Sequence, residues 1–257
     1  MRRGVLTSIA VSVAITLPAA QRMPDRSFRP MIEDRAYAIG TGPLVCFDES
    51  HDNREMLDDG FFPFADLIRR DGYVVRAVQT LDSQSLRDCR IMVIASPRSK
   101  LVEAQEIHRW VGGGGSLLLV VDRDSLTAAA ELASGFGVRF TDSSGTTARF
   151  RTADQTLRPH AIARGRHAKE SATSVTTFAG QSISVPATAE PVLAAADGTV
   201  HGAVLRLDMG RAAFFGDAAL FTAQIVGPDR RLVGMNAPSQ RNFQFVLNVM
   251  HWLSRVI

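Results

Sequence analysis

Six hydrogen-bonding side chains stand in unbroken succession at Asp48, Glu49, Ser50, His51, Asp52 and Asn53, directly after the apolar run LVCF at 44–47. Carboxylate, imidazole and hydroxyl this close together could hold a hard or borderline divalent cation through oxygen and nitrogen. They could equally move protons, if crowding raises the pKa of one acid. The same residue types also bond the backbone of a turn or cap the next helix. Comparable polar groups end other apolar runs: Ser96-Pro97-Arg98-Ser99 after RIMVIA, Asp122-Arg123-Asp124-Ser125 after SLLLVV, and Asp217 after RAAFFG. The candidate ligand-binding residues are therefore Asp48, Glu49, His51, Asn53, Ser96, Arg98, Asp122, Arg123 and Asp217. Asp48, His51 and Asp122 are the candidates for catalysis, and no cofactor is expected beyond a divalent metal.

The elements that must position these groups alternate in type. LVCF (44–47), YVVRAV (73–78), RIMVIAS (90–96) and SLLLVVD (116–122) read as strands. FFPFADLIRRDG (61–72), LVEAQEIHRWV (101–111) and SLTAAAELASGFG (125–137) read as helices from their apolar spacing. Such alternation implies an α/β fold with a mostly parallel sheet and helices on both faces, a three-layer sandwich. In such sheets ligands bind beyond the carboxyl ends of the strands, which is where the polar groups collect. Whether Asp217 reaches the same crevice depends on strand order, which spacing does not fix.

Residues 141–200 are less regular, with short β-like pieces such as SVTTF (174–178) and PVLAAA (191–196). GAVLRLD (202–208) and RAAFFGD (211–217), separated by the turn Met209-Gly210, read as a hairpin or as a strand following a strand that closes the sheet. PSQRNFQFVLNVMHWLSRVI (238–257) is a helix with one buried face through Phe243, Val246, Leu247, Met250 and Leu253. His160 reads as a loop residue, His251 as packing beside the terminal helix, and Trp110 and Trp252 as core or core-edge residues. GGGG at 112–115 precedes a strand rather than following one, the wrong polarity for a phosphate cradle. No GxSxG elbow occurs.

Composition is ordinary for a globular chain of 257 residues, 46% hydrophobic and 21% charged. The net charge of +3 falls to +1 without Arg2 and Arg3, with 27 basic against 26 acidic residues. No basic patch with interleaved aromatics exists, so nucleic acid is not expected as a partner. Arg2-Arg3, an apolar stretch from Gly4 to Leu17 and the small residues after it have the order of a secretory signal peptide at 1–20. Residues 21–41 read as an irregular lead-in and 42–257 as the domain, placed in the periplasm or secreted. Cys46 and Cys89 could pair in an oxidising compartment. A buried free thiol is the expectation for a cysteine within an apolar run, and no CxxC or Cys/His zinc spacing is present.

The strand followed by DESH, PFADLIRRDGYVV, the IASP turn and WVGGGGSLLLVVD, with HAIARGR, GRAAFFGDAALF and NAPSQRNFQFVLNVMHWL further on, resemble class I glutamine amidotransferase-like domains over residues 42–257. The resemblance is to an exported bacterial branch whose relatives include ThuA-like proteins and gliding-motility ABC-transporter auxiliary domains. It implies a flavodoxin-like three-layer fold. The amidotransferases carry their cysteine nucleophile after the strand corresponding to SLLLVV, where this chain has Asp122-Arg123. Glutamine hydrolysis is thus not expected. The resemblance implies a non-catalytic module binding a small polar ligand, a carbohydrate for example, or an envelope protein. A metal- or acid/base-dependent hydrolase using Asp48, His51 and Asp122 is the alternative.

Overall fold

Alternating apolar runs and amphipathic segments build a sheet with helices on both faces in this computed structural model, which describes residues 22–238 and 241–257. The expected leader at 1–20 lies outside the described residues. The first half runs β1 (Arg22–Pro24), β2 (Leu44–Asp48), α1 (Phe62–Arg70), β3 (Val74–Val78), α2 (Ser83–Asp88), β4 (Ile91–Ala95), α3 (Ala104–Gly112), β5 (Ser116–Val120) and α4 (Leu126–Gly135). The second runs β6 (Arg139–Arg151), α5 (Ala161–Arg164), β7 (Ser174–Ser184), β8 (Glu190–Ala194), β9 (Val200–Leu207), β10 (Gly210–Phe215), β11 (Ala223–Val226), β12 (Arg231–Gly234) and α6 (Asn242–Leu253). The short helix α2 has no counterpart in the sequence reading. Its single buried residue, Leu86, leaves no periodicity to detect, although Asp82 and Ser85 form a capping box at its start.

The α/β class is as expected, and the sheet is mixed. Its order is β3-β2-β4-β5-β10-β9-β7-β6, with β8 added on β9. The pairings from β3 to β10 are parallel, and those beyond β10 are antiparallel. The β9–β10 hairpin is present, turning at Asp208-Met209. Part of the irregular stretch is the 13-residue strand β6, paired to β7 with register shifts between Thr141 and Ala148. Thr141 and Asp142 are exposed, so this part of the strand carries no apolar alternation. A separate three-stranded sheet, β1-β11-β12, ties the lead-in to the domain.

Two apolar clusters sandwich the sheet. One joins Val45, Phe47, Val93 and Phe215 to α1 and α6, and the other joins Met92, Leu117, Leu119 and Phe214 to α3 and α4. α6 is buried on nearly every side, not on one face, and Phe243 is its one half-buried residue. The lead-in and α5 cover its outer side. Phe28 meets Phe243 edge-on at 6.5 Å, and Asp71 accepts hydrogen bonds from the Ala36 N–H at 2.9 Å and from His251 Nε2 at 2.7 Å. Asn248 in turn donates to the carbonyls of Ile162 and Glu170 at 2.8 and 2.9 Å. These bonds satisfy polar groups that burial would otherwise penalise by about 1–3 kcal/mol each. His160 is a helix cap, accepting from the Ile162 N–H at 3.1 Å.

The expectation of two free thiols is corrected: Cys46 and Cys89 form a disulfide, with Cα atoms 5.9 Å apart. Cys46 faces the α2 side of β2, and Cys89 ends α2 where Arg90 N–H bonds the Leu44 carbonyl at 3.0 Å. That proximity comes from the β2–β4 pairing and leaves no trace in linear spacing. The crosslink spans 43 residues, enough to restrict the unfolded chain by about 2–4 kcal/mol. Cys89→Ser, or a thiol reductant, is expected to lower the unfolding free energy by that amount, read from the urea midpoint. An unmoved midpoint would show that the crosslink adds no stability.

Candidate functional site

The carboxyl ends of β2, β4, β5 and β10 share one edge, and the polar residues there divide into two groups. The first is DESHDN. His51 Nδ1 lies 2.9 Å from Asp48 Oδ2, and its Nε2 lies 3.1 Å from Glu103. Asn53 donates to Asp48 at 3.1 Å and to the Ala95 carbonyl at 3.0 Å, while Ser50 Oγ donates to Asp48 at 2.6 Å. Burial disfavours the imidazolium, but the hydrogen bond His51 donates to Asp48 and the charges of Asp48 and Glu103 hold the His51 pKa above its ordinary value. Glu49 turns the other way and accepts from the Leu57 N–H at 2.7 Å and from Gln79 at 2.8 Å. The Arg98 and Ser99 N–H groups both bond the His51 carbonyl. This network fixes a turn, and the turn delivers the next two residues, Arg54 and Glu55, to the second group.

That group lines a cavity of about 420 Å³, whose walls include Arg22, Arg54, Glu55, Asp122, Arg123, Asp217 and Gln224. Asp122 Oδ1 accepts from the Ala218 N–H at 2.9 Å, and Oδ2 accepts from Ser96 Oγ at 3.2 Å. Asp217 accepts from the Phe178 N–H at 2.6 Å and from the Ala219 N–H at 3.1 Å, capping the short turn that follows β10. Gly216 lets β7 pass this close. A Cβ there would lie 2.1 Å from the Gln181 carbonyl oxygen. Ser96 is fully buried with a φ of 45°, in the left-handed region where non-glycine residues are uncommon. Among the described residues, no three His, Cys, Asp or Glu side chains are grouped to hold a metal ion.

Crowding and burial act together on the acids. Burial, then the charge of Asp122, push Asp217 up to about 7. The same two causes push Glu55 up to about 7, against the opposing pull of Arg54. Burial also raises Asp122, offset in part by its hydrogen bond from Ala218. Arginines ring the opening, with Arg123 paired to Asp142 at 2.9 Å, and Arg54 and Arg98 to Asp124 at 3.4 and 3.7 Å. The cavity can therefore offer protonated acids, carboxylate acceptors and guanidinium donors to one ligand.

Of the residues singled out from sequence, Asp122, Arg123 and Asp217 line this cavity, and Ser96 touches it through Asp122. Asp48, Glu49, His51 and Asn53 form the neighbouring turn, and Arg98 lies on the rim as an exposed partner of Asp124. Sequence reasoning missed Arg22, Arg54, Glu55 and Gln224. Glu55 sits seven residues beyond the end of β2, past the turn, and Gln224 lies in the added sheet, so neither follows a strand of the main sheet directly. Acid residues just past the DESHDN turn were the one available signal.

A sheet of this order, with its polar edge at the strand ends, defines an α/β fold whose large, mostly parallel central sheet is flanked by helices. Residues 57–226 match the family described as Domain of unknown function (DUF4350), and the chain belongs to that family. Among solved structures it is similar to the mmIFT52 N-terminal domain, at 14% identity and a TM-score of 0.66, over 82% of this chain and 97% of that one. It is similar to Cytoplasmic Protein STM3548 from Salmonella typhimurium at 12% identity and 0.53, over 82% and 98%. A β-galactosidase from Bacillus circulans sp. alkalophilus matches at 12% and 0.52, over 84% of this chain and 31% of that one. These are likenesses of fold alone. No curated protein matches the chain in sequence.

Unfolded carboxylates titrate near about 4, whereas folded Glu55 holds its proton to about pH 7. Between those values the folded state binds the extra proton, so the contribution of Glu55 to stability is lost as pH rises. Glu55→Gln should therefore gain stability relative to the unmodified protein between pH 5 and pH 8, measured by urea unfolding at each pH. A difference that does not change with pH would contradict the raised pKa.

Proposed function

We propose that the protein is an exported amidotransferase-like module that binds a small hydroxyl-rich ligand, a carbohydrate by its chemistry, at the strand-end cavity without covalent catalysis. The carrying observation is the cavity itself. Its volume of about 420 Å³ suits a small molecule, and its walls set the acceptors Glu55, Asp122 and Asp217 against the donors Arg22, Arg54 and Arg123. Neighbouring hydroxyls both donate and accept, so they match such a mixed lining. A simple anion would meet the carboxyls, and a simple cation the guanidinium groups. Among the described residues the hydroxyl and thiol groups near the acids are engaged elsewhere: Ser143 Oγ donates to the Gly180 carbonyl at 3.4 Å. Both cysteines are in the disulfide, and the Ser96 hydroxyl is buried and donates to Asp122.

Export to the periplasm or beyond is supported by the disulfide, a bond that persists in oxidising compartments, and by the residue order of 1–20. Kinship with the ThuA-like and gliding-motility auxiliary branch belongs to the same proposal, with an envelope protein as the other occupant of this edge. Acid–base hydrolysis in the same cavity is a second reading, favoured by the protons that Glu55 and Asp217 keep to about pH 7. A centre using Asp48 and His51 with Asp122 would first have to draw those two out of their mutual hydrogen bond.

A thermal-shift and calorimetry series with mono- and oligosaccharides tests the reading. At least one sugar class should raise the melting temperature, since a ligand of the folded state stabilises it by mass action. Asp122→Asn and Arg54→Ala should each weaken that sugar by about tenfold or more, the loss of a charge-assisted hydrogen bond. Silence across the sugars would sink the carbohydrate reading. Turnover of aryl glycosides that disappears in Glu55→Gln would select the hydrolase.

A further inference from the structure

A smaller cavity of about 170 Å³ adjoins the main one, and the two share Arg22, Arg54, Glu55 and Gln224 as a common wall. The smaller compartment is lined in addition by Met23 and Pro24 of β1 and by Asp59 and Gly60. Two members of the shared wall are polar and buried. Glu55 is 9% exposed, and its carboxyl makes no hydrogen bond or ion pair with any described residue. Gln224 is 5% exposed, and its Oε1 is buried without a hydrogen-bond partner. Buried polar groups are as a rule hydrogen-bonded, and an orphan calls for a partner. Here Gln224 Oε1 is such an orphan on the wall that the two compartments share, and the Glu55 carboxyl lies on the same wall.

The chain keeps space for this arrangement. A Cβ on Gly60 would lie 1.6 Å from Glu55 Oε2, so glycine at that position is what admits the carboxyl to the wall. β1 completes the wall from the other side. Its pairing to β11 sets Pro24 opposite Gln224 and Arg22 opposite Val226.

We propose that the two compartments form one site for a linked pair of sugar units, one in each, with the linkage and its flanking hydroxyls bonded by Glu55 and Gln224. This rests on the carbohydrate reading above and adds the length of the ligand. A single sugar would fill the larger compartment and satisfy the junction from one side only. A disaccharide passes through the junction and presents hydroxyl donors to the orphaned Gln224 Oε1 and to the Glu55 carboxyl.

Calorimetry on the purified protein distinguishes the two claims, with glucose, galactose and mannose as probes beside cellobiose, lactose and β-1,4-mannobiose. At least one disaccharide should bind about tenfold tighter than its component monosaccharides. Glu55→Gln, which keeps the side-chain shape, and Met23→Trp, which fills the smaller compartment, should each erase that advantage. Met23 is 44% exposed, so the larger ring replaces a surface side chain. Gly60→Ala, which displaces the Glu55 carboxyl, should act in the same way. Disaccharides that bind no tighter than single sugars overturn the two-compartment site and leave the carbohydrate reading standing. An advantage that survives both Glu55→Gln and Met23→Trp overturns it equally. Binding of no sugar of either length overturns both.

Discussion

The parallel pairing of β10 with β5 is the constraint on which the functional edge depends. Its register, Ala212 with Leu117 through Phe215 with Val120, ends both strands at the same level. Asp122 and Asp217 then emerge as neighbours with nowhere else to go. Two acids in a medium of low dielectric cannot both ionise freely. The structure meets that conflict by aiming backbone N–H groups from Ala218, Ala219 and Phe178 at their oxygens.

The turn at 48–53 has a different part to play. Its hydrogen bonds run inward, among Asp48, His51 and Asn53, and outward to the Ala95 carbonyl, to Glu103, to Leu57 and Gln79 through Glu49, and to the Arg98 and Ser99 N–H groups through the His51 carbonyl. The polar display that first suggests chemistry is spent on holding a loop in one conformation. Arg54 extends that hold, since its N–H bonds the Ser96 carbonyl at 3.1 Å, and Glu55 follows into the cavity wall. A rigid scaffold that presents one or two side chains from a loop is a common way of building a binding site.

Much of this fold was legible because its first half obeys local rules. Apolar strands buried on both faces, such as SLLLVV, can scarcely be read otherwise, and Pro63 and Gly72 bracket α1 where a helix should start and stop. The strand-end rule located Asp122, Arg123 and Asp217 for the same reason. The failures are all tertiary. The disulfide needed the β2–β4 register, the long β6–β7 ribbon runs partly through exposed polar residues, and α6 is buried all round only because the lead-in and α5 fold over it. Glu55 and Gln224 owe their place to a loop and a second sheet, neither of which announces itself through periodicity.

The cavity walls fall on both sides of the start of the family match. The family match at 57–226 contains Asp122, Asp217 and Gln224 but stops short of Arg22, Arg54 and Glu55. The inner wall therefore comes from the shared scaffold, and the outer wall from the segment that precedes it, joined through β1 and β11. Substitutions at Arg22, Arg54 and Glu55, which lie in β1 and in the loop after β2, would change the lining of the cavity without touching a strand of the parallel half. The front edge of the cavity is thus set by residues that the parallel strands do not need for their own packing.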